Sequence, residues 1–367
     1  MLTVLTSLHM TSQLKNLFVK PSRTERDLWA VAKLAKAGIY LRHAMAATAC
    51  CGVLLIVLAG SSHAQETTAI QSVNIVYSAA IGIGPQNGVM RRDPSDIIKV
   101  GDLYYVWYSK GAQSHGYDAT VWYATSPDGH TWSEKGESLA RGGVDSWDEQ
   151  SVFTPNILVA EGRYWLFYTA VPKPFVNKGT ETTKTAIGIA VSNSPNGPWE
   201  KLDTNPILKT SENHDDFDSL RIDDACLIVR DGKYWMYFKG RQWNKSPGET
   251  KMGVAISEKP DGPYIKHSGN PIIGGNHEVL VWPQGQGVAA MIGTVGPKSI
   301  TRSILYADDG LHFSKTHAVV DVPTAAGAYR PEAFTNSGNG AQIEWGVHIG
   351  KRRGTLPFIE RFEVSQQ

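Results

Sequence analysis

The chain is short of cysteine. Of the three present, Cys50 and Cys51 lie in an apolar run near the N-terminus, and removal of that run leaves Cys226 with no partner for an intrachain disulfide. Export without disulfides fits a bacterial periplasm or medium better than a eukaryotic secretory route. An excess of charge is also missing. The 36 basic and 35 acidic residues leave a formal charge of +1, which gives no reason to expect nucleic acid or another polyanion as partner. Only one long apolar run occurs, at 44–60 (AMAATACCGVLLIVLAG), behind Lys33, Lys36, Arg42 and His43 and ahead of Ser62-His63-Ala64. It reads as a signal peptide within a leader of residues 1–64, cut after Ala64. Its apolar core is shorter than the roughly 20 residues that span a bilayer, an uncleaved anchor being the alternative, and no stable membrane partner is expected. The long stretch before it leaves room for a start downstream of Met1. GxSxG, HExxH, Walker, EF-hand and paired CxxC motifs are all absent, so several common chemistries lack their parts.

What the chain does have is aromatic residues and turns. Eleven Trp and fourteen Tyr, with 36 Gly and 19 Pro, suit a turn-rich all-β protein whose clefts can stack on flat apolar faces such as those of sugar rings. One short phrase repeats four times: ATSPDGHTW at 124–132, VSNSPNGPW at 191–199, ISEKPDGPY at 256–264 and YADDGLHF at 306–313. Each is a strand, an Asp-Gly or Asn-Gly turn and an aromatic, which is a hairpin. Gly129, Gly197, Gly262 and Gly310 stand 68, 65 and 48 residues apart, a spacing right for four-stranded units. A mature chain of residues 65–367, divided by a blade of roughly 60, gives five. The expected architecture is one all-β domain, a five-bladed β-propeller.

Three further stretches, at 93–110, 154–171 and 223–240, share an apolar strand, a Gly-containing turn and an aromatic-alternating strand. Weaker versions run over 279–293 and 329–350. Aligning Tyr105 with Trp235 carries Asp93 onto Asp223 and places Phe153 or Thr154 at the same point of the second blade. Innermost strands of a propeller begin at one end of its channel, so Asp93 and Asp223 are expected to face a common cavity. No amphipathic helix stands out after residue 65. The loops expected to be flexible are 172–184 and 242–250.

Two acidic groups across a pocket are the minimal equipment for glycoside hydrolysis, one protonating the leaving oxygen while the other activates water or attacks carbon. Asp93 and Asp223 are the candidates, with Asp224 able to exchange roles with Asp223; a turn cap and a surface acidic loop are the ordinary alternatives. His277 and Glu278, in GGNHEVLVWPQG, suit a general acid at a channel mouth, or else an exposed loop pair. Asp148, Glu149 and Gln150 precede a strand where they could bind sugar hydroxyls. Arg330 and Glu332, in YRPE, open the fifth blade at the corresponding position, an ion pair being the alternative. Trp122 and Trp282 are further candidates for substrate contact. His348 is a candidate for holding water or a metal ion, a hydrogen-bonded core histidine being its alternative.

RDPSDIIKVGDLYYVWY, YDATVWYATSPDGHTW, WDEQSVFTPNILVAEGRYWLFYT, FDSLRIDDACLIVRDGKYW, NHEVLVWPQG and YRPE, in that order over about 90–350, resemble glycoside hydrolase family 117, five-bladed relatives of family 43. The resemblance implies an exo-acting, inverting α-1,3-(3,6-anhydro-L-galactosidase), releasing the nonreducing anhydrogalactose of neoagaro-oligosaccharides. It implies Asp93 as general base, Asp223 as the group orienting or tuning the acid, and His277, with Glu278 beside it, as supplying or supporting the proton donor, base and acid standing about 6.5–9.5 Å apart. No cofactor is implied for the chemistry, though a hydrated divalent metal ion in the channel is a family trait. The family's helical, domain-swapping dimerisation segment is at most a remnant here, Ser78-Ala79-Ala80 within 72–88, which leaves the oligomer open. Two other functions compete: a family 43-like arabinofuranosidase or galactofuranosidase, and a carbohydrate-binding propeller without catalysis.

Overall fold

The computed structural model describes residues 71–177, 182–277, 279–334, 340 and 342–366. The leader and Glu278 lie outside them. The strands form five blades, and two short 3-10 turns are the only helical elements among the described residues. The first blade runs from a split inner strand, Met90–Arg92 and Ile98–Val100, through Leu103–Gly111 and Ala119–Ser126 to Ser133–Leu139. The second and third begin at Ser151–Ala160 and Arg221–Arg230, the fourth at Leu280–Gln284. The fifth begins with the short pair Gly327–Ala328, continues through Trp345–Gly350 and Phe358–Gln366, and takes Gln71–Ala79 as its outermost strand.

Each repeated hairpin joins the third strand of a blade to the outermost one, in the first four blades. The turn glycines all have positive φ, from 73° at Gly129 to 96° at Gly262, as these turns demand. The Asp side chains of the phrase complete the turn: Asp309 Oδ1 accepts the amides of Leu311 and His312, at 2.8 and 2.9 Å. The fifth blade lacks the phrase because its last strand comes from the other end of the chain. Residues 71–79 pair antiparallel with Phe358–Gln366 and parallel with Ser314–Val320 of the fourth blade. The stretch read as a remnant of a dimerisation segment is therefore largely a closing strand, with Ser78 opposite Arg361 and Ala79 opposite Glu360.

Among the described residues an apolar cluster lies between each pair of neighbouring blades, and a further small one, of Met90, Ala119, Phe153 and Val171, joins the first blade to the second. Leu158, Trp165 and Phe167 of the second blade meet Ile222, Met236 and Phe238 of the third. Trp345, Val347 and Ile359 of the fifth meet Val106, Tyr108 and Trp132 of the first. Both faces of each blade are covered, which is why second strands such as YWLFYTAV read as unbroken apolar runs rather than alternating ones. Each fully buried side chain of this size contributes about 1.5–3 kcal/mol. Phe334, in the turn Pro331–Phe334, packs against three of these clusters.

Candidate active site

The inner strands break at one point. Asp93, Thr154, Asp224 and Ala325 have φ between 42° and 55°, in four different blades. In the second and third blades the break is a bulge, between Phe153 and Asn156 and between Asp223 and Cys226. With Pro94, Pro155, Asn156, Ala225, Val279 and Ala326, these four residues ring a channel end drawn from all five blades. A left-handed backbone at a non-glycine residue is costly, and its repetition at one level of the ring aims successive side chains into the same space.

Strand register corrects the alignment made from sequence. Arg92 lies opposite Ser109, Phe153 opposite Thr169 and Asp223 opposite Lys239, so Asp93 is equivalent to Thr154 and Asp224, not to Asp223. The first blade carries one more residue before Ile98, opposite Tyr105, than the second and third carry before Leu158 and Ile228. The lengthened stretch contains Asp96, which accepts the amide of Ala328 at 3.0 Å and pairs with Arg330, tying the first blade to the fifth.

Both third-blade carboxylates nevertheless reach one cavity of about 230 Å³, far above the ~10–15 Å³ one water needs. Its lining includes Asp93, Asp223, Asp224, Lys239 and His277. Arg92 Nε donates to Asp93 Oδ2 at 2.7 Å, while the buried Oδ1 has no hydrogen-bond partner among the described residues. Lys239 Nζ stands 3.0 Å from Asp223 Oδ1 and 2.7 Å from Asp224 Oδ2, at ion-pair distance but off hydrogen-bond alignment. His277 sits in a bend before the fourth blade's inner strand, its Nδ1 3.2 Å from the Pro247 carbonyl and 3.3 Å from Thr250 Oγ1. A carbonyl only accepts, so Nδ1 carries the proton. The ammonium of Lys239, and then burial, bring the His277 pKa down to about 3, so the ring is neutral at neutral pH. Pro247 and Thr250, at the turn Pro247–Glu249, form part of the pocket wall.

Other expected site residues lie elsewhere. Trp282 is fully buried in the core between the fourth and fifth blades, and its Nε1 donates to Gln284 Oε1. Trp122 is on the first blade's third strand, with Lys110 Nζ 3.5 Å above its ring. Gln150 donates to the Tyr117 carbonyl at 3.2 Å, holding the loop that carries Tyr117 rather than lining the cavity. Asp148 is bound by Lys201 at 2.6 Å and by Ser146, and Glu149 accepts the Asp145 amide. YRPE does not open the fifth blade: Ala325 holds the position equivalent to Asp93, Arg330 is buried against Asp96, and Glu332 belongs to the 3-10 turn. His348 is buried beside Tyr77 and Phe362, its Nδ1 facing the Thr324 amide. Among the described residues no group of three or more His, Cys, Asp or Glu side chains could hold a metal ion.

Sequence reasoning missed Lys239, Arg221, Arg241 and Tyr117 as cavity residues. The signal was a lysine ending KYWMYFK, where the first two blades have Ser109 and Thr169.

The signature of "Glycosyl hydrolases family 43" matches residues 85–225. A "Xylosidase/arabinosidase" of Bacteroides ovatus is 38% identical over 65 residues, which span 17% of this chain and 19% of that protein. Among solved structures, the GH43_1 enzyme of Xanthomonas citri bound to xylose is 15% identical, covering 78% of this chain and 89% of that one with a TM-score of 0.52, a likeness of fold. Zg3597, a family 117 glycoside hydrolase of the marine bacterium Zobellia galactanivorans, superposes with a TM-score of 0.72 over 80% of this chain and 91% of that one. With 30% of residues identical across nearly the whole of that enzyme, on a propeller that collects three carboxylates at one channel end, the chain belongs to glycoside hydrolase family 117.

Proposed function

We propose that the protein is an exo-acting, inverting hydrolase that releases 3,6-anhydro-L-galactose from the nonreducing end of neoagaro-oligosaccharides, after export from a bacterial cell. The observation that carries the reading is the convergence of Asp93, Asp223, Asp224 and His277, from three blades, on one cavity. Asp93 is the base: Arg92 fixes one carboxylate oxygen, and the other takes a proton from the water that attacks the anomeric carbon. The proton for the leaving oxygen comes from the His277–Glu278 pair. His277 rests as the neutral ring, its proton directed at Pro247, so donation from its imidazolium requires a second proton on Nε2. Lys239 opposes that proton while Asp223 favours it, which gives Asp223 the tuning role.

The partial match to a xylosidase/arabinosidase supports a second reading, a family 43-like furanosidase. Incubation with neoagarobiose, neoagarohexaose and nitrophenyl arabinofuranoside, followed by chromatography of released monosaccharide, separates the two. Anhydrogalactose from the first two compounds is the expected result; arabinose alone favours the second reading, and no release from any of the three removes both.

A further inference from the structure

The cavity wall carries charge that the hydrolytic groups do not use. Arg221 opens the third blade's inner strand and lies opposite Arg241, at the end of the neighbouring strand. Directly opposed residues of an antiparallel pair point to one face, and like charges there repel. Arg221 is 2% exposed and lines the cavity. Its Nη2 donates to Asn177 Oδ1 at 2.9 Å, and its plane lies near the rings of Phe175 and Tyr117, which stack at 4.2 Å. Its Nε and Nη1, and the Nε of Arg241, are buried with no hydrogen-bond partner among the described residues.

A buried cation with unmade hydrogen bonds, placed opposite a second cation, is expensive to maintain in a folded protein. The carboxylates nearby do not neutralise the pair at close range, since no ion pair within 4.0 Å joins Arg221 or Arg241 to an acidic residue among the described ones. A neutral sugar hydroxyl satisfies one N–H and leaves the charge; an anionic group does both.

We propose that Arg221, supported by Arg241, is a specificity-determining residue that binds an anionic substituent of the glycan, a carboxylate or a sulfate ester, on the sugar next to the released one. The inference rests on the glycoside hydrolase reading of the same cavity and adds the charge of its substrate. Tyr117 and Phe175 hold the guanidinium in place, and the unused N–H groups face the ligand.

The test compares D-galactose, D-galacturonate and D-galactose 6-sulfate, which share one ring, binding to the intact protein at matched ionic strength by calorimetry, with inorganic sulfate as control. The charged sugar that fits binds at least about tenfold tighter than galactose, the scale of a hydrogen bond to a charged group, and R221Q removes the difference. Galacturonate and the sulfate ester read the two sources apart. Equal binding of galactose, no binding of any sugar, inorganic sulfate binding as tightly as the charged sugars, or an undiminished preference in folded R221Q overturns the proposal. R241Q, at the less buried partner, reads the same preference if R221Q does not fold. Hydrolysis of neutral neoagaro-oligosaccharides with no charge preference defeats this inference alone. Charged-sugar binding without hydrolysis of any glycan defeats the hydrolase reading alone.

Discussion

Asp93 owes its place to backbone as much as to chemistry. Its left-handed φ turns the carboxylate into the channel end, an arrangement the sequence signalled only as an Asp between Arg and Pro at a strand start. The choice between Asp223 and Asp224 was not legible, because one extra residue in the first blade is invisible to an alignment by aromatic pattern. Trp282 and Arg330 were misread for a different reason: residue type shows that a side chain can bind sugar, not whether it points to the channel or the core. Lys239 is the least expected member and has the largest predicted effect. K239M removes the ammonium that stands 3.0 Å from Asp223 and 2.7 Å from Asp224 and is expected to destabilise the fold by about 3–5 kcal/mol, read by denaturant unfolding. In the fraction that stays folded, the His277 pKa rises from about 3 toward its ordinary value, read by proton NMR of the ring. His348, pushed down to about 4 by burial first and Lys351 second, adds to a second prediction. Both rings are neutral in the folded state and take up protons near pH 6.5 when unfolded. The unfolded chain therefore binds more protons below that value, and stability falls progressively as pH drops from about 6.5 toward 4. Urea midpoints across this range check it, and H348N flattens the slope.

The hairpins are the elements most readable from sequence, since Asp-Gly and Asn-Gly turns have few alternatives. Inner strands were less readable, the fifth least of all. Gly327–Ala328 is two residues long, and the conspicuous YRPE phrase beyond it turns into a 3-10 plug instead of a strand. What a turn does beyond turning differs within one blade. Gly129 has a positive φ, and a Cβ there would stand 2.7 Å from the Trp345 ring of the fifth blade. Gly101 also has a positive φ, but nothing lies within 4 Å of the position its Cβ would take. Gly129→Ala is expected to cost about 1–3 kcal/mol more than Gly101→Ala, the overpacking term added to similar backbone strain. Thermal unfolding of the two variants measures the difference, and equal losses would mean that the seam between first and fifth blades yields freely.

Ring closure is a property of the whole molecule. The count of five blades was legible from hairpin spacing and chain length; that the closing strand comes from residues 71–79 was not, because a lone edge strand carries no repeat signal. Its removal bares the edge of Phe358–Gln366 and uncovers the cluster to which Val73 and Ile75 contribute. A chain lacking 71–79 is expected to lose its single cooperative transition and to aggregate, read by scanning calorimetry and gel filtration. Closure also sets the site, since Asp93 reaches the cavity from the first blade and His277 from the entry to the fourth. The account rests on that convergence being catalytic, and the most direct measurement is the product profile of neoagarohexaose with the native protein and with D93N. The native protein should release one terminal anhydrogalactose and leave a chain one unit shorter. D93N, with an unchanged circular dichroism spectrum, should lose about 10²–10⁴-fold in rate. Internal fragments from the native protein, or undiminished release by D93N, would contradict the account.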